Sequence, residues 1–129
     1  MGKSPNKKLK DKCDSLWAEC IKRRAGYECE LTGVLGNETP LAAHHIAGKP
    51  NYKLRYNLDN GICIDNYKMH IWGVHNKNNP ALAYDIQCRI IKYIGLDKWK
   101  TLTYKGITLK EEKLIDIKIR LEKELAKYE

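Results

Sequence analysis

Phenylalanine is absent from the 129-residue sequence. Three Trp and eight Tyr supply the large side chains instead, and buried tyrosine hydroxyls must be paired or wetted. No apolar run approaches the ~18–20 residues needed to cross a bilayer. The basic N-terminal stretch MGKSPNKKLKDK leads into no hydrophobic signal core, so neither a membrane span nor a secretory leader is expected. CxxC pairs are missing too. Five cysteines, Cys13, Cys20, Cys29, Cys63 and Cys88, form an odd, scattered set that reads as reduced thiols of a cytoplasmic protein, not a disulfide framework. Acid is in deficit: 24 Lys+Arg against 16 Asp+Glu give a formal charge of +8. Such a surplus on a small chain attracts polyanions, with nucleic acid ahead of an anionic membrane surface.

What is present suits one domain spanning 1–129, since 43% of residues are apolar and domains of about this size are common. Residues 1–8 read as a flexible basic tail. From Leu9 the apolar spacing turns helical (Leu9, Cys13, Leu16, Trp17, Cys20, Ile21) and stops at Arg23, Arg24, Ala25 and Gly26. Residues 27–40 are broken by Gly33, Gly36 and Pro40 and suggest short strands and turns. Leu41–Ile46 and Gly61–Ile64 are short strand candidates, joined by a loop. Asp65 is an N-cap for a helix running to about Val74. Pro80 suits the first position of the next helix, whose face is Leu82, Ile86, Ile90 and Tyr93 or Ile94 and whose end is Gly95. Asp97–Leu102 suggests one or two more helical turns. The segment 108–128 carries Leu114, Ile117, Leu121, Leu125 and Tyr128 at steps of three and four, widened by Ile115 and Ile119. This amphipathic helix covers the core or, its spacing being nearly heptad, pairs with a second copy in a homodimer.

All four histidines lie between His44 and His75. Imidazole is the commonest metal ligand and the side chain best matched to proton transfer near neutral pH. Adjacent strand residues point to opposite faces, so His44 and His45 divide into one metal ligand and one group acting on the reacting water. His70, on the following helix, would complete the metal site. In a regular α-helix His75 lies some 140° round from His70 and could not easily share the ion, unless the helix ends near Gly73.

The stretch LAAHHIAGKPNYKLRYNLDNGICIDNYKMHIWGVHNKNNP resembles the ββα-metal, or HNH, nuclease motif over residues 29–80. AHHI at 43–46 resembles its first strand, NLDNGICI at 57–64 its loop and second strand, and MHIWGVH at 69–75 its helix. More broadly, the helix before the motif, the LRYNLDN segment and the NNP turn with the helices after it are similar to the phage NinG/Rap recombination endonucleases, which act on branched DNA. The resemblance implies an α+β fold with a small ββα-metal core flanked by N- and C-terminal helices. It implies an HNH endonuclease, a phosphodiester hydrolase acting on DNA, with Holliday junctions and other recombination intermediates as substrates in the broader match. It also implies His44 as metal ligand, His45 as general base, Asn60 as the residue that orients the base and braces the loop, and His70 as the helix ligand, with His75 its rival or partner. One divalent ion is implied, Mg²⁺ foremost and Mn²⁺, Ni²⁺ or Zn²⁺ as alternatives that imidazole favours. A phage origin would place the chain in the bacterial host's cytoplasm. Many HNH domains add a zinc held by two CxxC pairs. Here those positions fall on Cys29 and Thr32, then near Asn66 and Met69, so a structural zinc is not expected and packing around Tyr67, Met69 and Trp72 stands in for it.

Between the histidines, Lys49, Tyr52, Lys53, Arg55 and Tyr56 interleave base and ring, as suits a phosphate backbone and unstacked bases. Arg55, with its planar fork, is the phosphate-clamp candidate; packing of the loop is the alternative. A non-catalytic DNA-binding module on the same fold is the competing function.

Overall fold

The computed structural model describes residues 4–47, 54–104 and 112–129. Helix α1 (Pro5–Arg24) begins earlier than the apolar spacing suggests. Ser4 Oγ accepts from the Lys7 N–H at 3.2 Å and Pro5 takes the first turn, a combination that satisfies an orphan donor and needs no other. Residues 5–8, expected as a tail, are therefore helical. Strands β1 (Leu41–His45) and β2 (Gly61–Asp65) pair antiparallel with Leu41 opposite Asp65 and His45 opposite Gly61. A short 3-10 turn, Leu58–Asn60, leads into β2. Then come a π-helix, Asn66–Val74, and helices α2 (Pro80–Ile94), α3 (Leu96–Thr103) and α4 (Leu114–Ala126). The architecture is α+β.

Strand β2 is buried along its whole length and divides the interior. Its period-two alternation sends Cys63 toward a cluster built by Leu16, Trp17 and Ile21 of α1 with Ile117 and Leu121 of α4. Ile62 and Ile64 point the other way, to Ile86 and Ile90 of α2 and Leu102 of α3. The α4 stripe thus lies against α1 within one chain, while Ile115 and Ile119 stay exposed. On α2 the buried face narrows to Ile86 and Ile90, with Leu82 and Tyr93 outside.

Two glycines set how closely these layers approach. A Cβ on Gly61 would fall 2.4 Å from Ile21 Cδ1 and 2.7 Å from Trp17 Cζ2. A Cβ on Gly73 would fall 2.3 Å from Ile86 Cδ1 and 3.0 Å from the Lys68 carbonyl. Gly61 lets α1 lie on the end of β2, and Gly73 lets α2 lie on the π-helix. Among the described residues no helix is long and apolar enough to cross a membrane.

Candidate metal centre

His44 and His45 share the end of β1 but serve different layers. The His44 ring is directed at the π-helix, with ring centroids 5.3 Å from both His70 and His75. The possible ligand atoms of these three residues all lie within 4.8 Å of one another. His44 is buried, His70 half-buried and His75 exposed, so the cluster opens to solvent on one side.

The π-helix makes the cluster possible. Asp65 caps it, its Oδ1 accepting from the N–H groups of Tyr67 (2.8 Å) and Lys68 (2.9 Å). At its end the His75 N–H donates to the His70 carbonyl at 3.0 Å, an i→i+5 bond whose wider turn brings residues five apart closer to one face. The 140° offset of a regular α-helix does not apply, and the two imidazoles meet with Nε2 atoms 3.1 Å apart. On the far side of the His70 ring, Nδ1 lies 3.3 Å from Asn66 Oδ1. A carbonyl oxygen only accepts, so this contact favours hydrogen on Nδ1 and turns the Nε2 lone pair toward His44 and His75. An outer carbonyl fixing the tautomer is the usual support of a metal-binding histidine.

Burial drives the His44 imidazole down to about 3, helped by the neighbouring His70 and His75. Burial, then His75, lowers His70 to about 4. Both rings are therefore neutral near pH 7, which is the form that binds metal. Three imidazoles converging within ligand distance of one site, two of them held neutral by burial, fit a divalent ion.

His45 faces α1. Its ring stacks on Trp17 with centroids 3.9 Å apart and planes 7° from parallel. Its Nε2 lies 2.9 Å from the Arg55 carbonyl, which must accept, so Nε2 carries the hydrogen and Nδ1 is the basic nitrogen. Trp17 is itself anchored, its Nε1–H donating to the Asn57 carbonyl at 3.0 Å.

Arg55 is held from behind. Its Nε and Nη2 donate to the two carboxylate oxygens of Asp14, each at 2.9 Å, and the residue is buried. The planar fork that made it a phosphate-clamp candidate is taken by Asp14, and the loop-packing alternative describes where it sits. Asn60 is fully buried. Its Oδ1 accepts from the Ala47 N–H at 2.7 Å and its Nδ2 donates to the Leu54 carbonyl at 3.1 Å. It braces the two ends of the loop, and its own carbonyl accepts from the Ile46 N–H at 3.0 Å, next to His45. Lys49, Tyr52 and Lys53 lie outside the described residues.

Tyr67 and Trp72 do not fill the place of a zinc. They pack on one another at the surface with ring centroids 5.6 Å apart, while Met69 lies against the α2 cluster. The hairpin around Cys29 closes by backbone bonds, Cys29 N–H to the Val34 carbonyl and Gly33 N–H to the Cys29 carbonyl, both 2.8 Å. Trp17, Asp14 and Asn66 were not legible as site residues. Trp17 sits in the apolar stripe of α1 and reads as core, and Asp14 meets its partner across 41 positions.

No protein-family model matches this chain, and neither a curated protein nor a solved structure matches it.

Proposed function

We propose that the chain is a metal-dependent DNA endonuclease of the ββα-metal (HNH) type, with branched recombination intermediates as its substrates. The observation that carries this reading is the division of labour at the end of β1. His44 joins His70 and His75 in a three-imidazole cluster, while the adjacent His45 is held apart with its Nε2 on a carbonyl and its ring on an indole. A purely structural histidine cluster does not require the fourth ring to be fixed in tautomer and plane. The charge of +8 suits a polyanionic substrate.

His44, His70 and His75 would hold the ion. When bound, a divalent ion supplies Lewis acidity to the phosphate and offsets charge on the leaving oxygen. His45 Nδ1 takes a proton from the attacking water, as a general base worth roughly 10²- to 10⁴-fold in rate. The water oxygen forms the new bond to phosphorus as the bond to the 3′ oxygen breaks, which leaves 5′-phosphate and 3′-hydroxyl ends. The Arg55 carbonyl keeps the other nitrogen protonated throughout. The Trp17 face, which attracts cations, favours the imidazolium that results.

The donor set also bears on the ion. Three imidazoles, with no carboxylate among the described residues of the cluster, favour Mn²⁺, Ni²⁺ or Zn²⁺ over Mg²⁺, so the preference shifts from the Mg²⁺ that the resemblance implies. Incubating the purified chain with supercoiled plasmid and with a four-way junction, each ion supplied separately, tests both points. Cleavage with a transition ion and little with Mg²⁺ is expected. Tight metal binding with no cleavage of any DNA form would overturn the nuclease reading.

A further inference from the structure

The same i→i+5 pitch that brings His70 to His75 brings Tyr67 to Trp72. The two pairs have opposite characters. The histidines turn inward to His44, whereas Tyr67 is 43% exposed and Trp72 59%. An indole left this open is uncommon, because Trp carries more apolar surface than almost any other side chain. The ring does not wander freely from its mount. The Trp72 carbonyl accepts from Asn76 Nδ2 at 3.0 Å, and Tyr67 packs against the indole at an interplanar angle of 34°. Ile71, also exposed, widens the apolar edge.

The surroundings indicate what would lie on this edge. Between Asp65 and Asp85 the chain has no carboxylate, Asp65 itself is buried and turned to the Tyr67 and Lys68 N–H groups, and Lys68 and Lys77 are exposed. An apolar protein partner would need no such cleared field. A planar ring attached to a phosphate chain would: the base stacks on the indole and the flanking phosphates meet lysine. The edge belongs to the helix that carries His70 and is capped by His75, so one element holds both the platform and two of the three proposed metal ligands.

We propose that Tyr67 and Trp72 form a stacking platform for an unpaired nucleobase, and that it gives the chain a preference for DNA whose bases are unstacked at the cleavage site. This inference rests on the nuclease reading and adds a source of substrate choice. Bases paired within an intact duplex are covered on both faces and cannot use the platform. A bulge, a gap or a junction crossover offers one.

The test uses binding, not cleavage, in a His45→Ala background. Equilibrium affinity is measured for an intact duplex and for the same duplex with a single-nucleotide bulge. Trp72→Ala is expected to weaken bulge binding about tenfold, the typical scale for one lost base–aromatic stack. Duplex binding should be unchanged and Trp72→Phe should largely retain the preference. Bulged DNA should also quench part of the tryptophan emission, and this quenching should vanish in Trp72→Ala, because Trp17 is buried and Trp99 packs against the α2–α3 cluster. Because Trp72 is exposed, its truncation leaves the fold intact, which circular dichroism verifies. Equal affinities of Trp72→Ala and its parent for bulged DNA, or an equal loss on both DNAs, would overturn the inference. Failure of the nuclease reading is separate: the parent would then leave all DNA uncut while the bulge preference stood.

Discussion

Of the four imidazoles within one short stretch, two are held neutral by burial. His44 is buried and pushed down to about 3, and His70 to about 4. His45, the proposed base, is stacked on Trp17 and hydrogen-bonded to the Arg55 carbonyl. The lowered values have a consequence for stability. Above pH 6.5 both rings are neutral whether the chain is folded or unfolded, and they add no pH dependence. Below it the unfolded chain takes up protons that the folded chain refuses. Stability should therefore fall as pH drops through about 6 to 4, each group contributing up to about 1.4 kcal/mol per pH unit. Urea midpoints of the metal-free protein at pH 7.5 and 5 check this, and His44→Gln should flatten the slope. An equal slope in that variant would mean that His44 is not the source. The His44/His45 contrast was readable in the sequence, since strand alternation alone separates adjacent side chains. The pairing of Arg55 with Asp14 was not, because nothing local links positions on α1 to the loop.

At the scale of elements, the π-helix decides the site. Its start was legible: Asp65 is a good cap, and Pro80 with Asn79 marks the next helix, where Asn79 Oδ1 accepts from the Leu82 N–H at 3.1 Å. Its pitch was not, because apolar periodicity over nine residues cannot separate i→i+4 from i→i+5 bonding. The missing information lies in tertiary contact, and Gly73 is part of it. A Cβ there meets buried Ile86 of α2 and the Lys68 carbonyl, so Gly73→Ala must move the π-helix relative to α2. A loss of about 1–3 kcal/mol is expected from such overpacking, together with weaker metal binding as the His70–His75 spacing changes. Thermal melts and a metal titration check the two effects. A variant matching the parent in both would mean that α2 does not set the geometry.

Across the whole molecule, the helices around the sheet act as mounts. Helix α1, backed by α4, presents Trp17 to His45 and Asp14 to Arg55. Helix α2 backs the π-helix. The amphipathic stripe of α4 illustrates a limit of the sequence: its spacing served a second copy as well as α1, and only the packing of Ile117 and Leu121 beside Leu16, Trp17 and Ile21 shows which face is covered. The positive charge was legible as a tendency toward polyanions, but it does not locate a DNA path. What joins the layers is the separation of the His44, His70 and His75 cluster from His45, which is the proposed division between metal ligands and base. The most direct test is a paired measurement on the parent and His45→Ala: Mn²⁺ affinity by calorimetry and plasmid cleavage at the same metal concentration. Equal metal affinity is expected, with a cleavage rate at least about 100-fold lower in the variant. Cleavage by His45→Ala at the parent rate would contradict it.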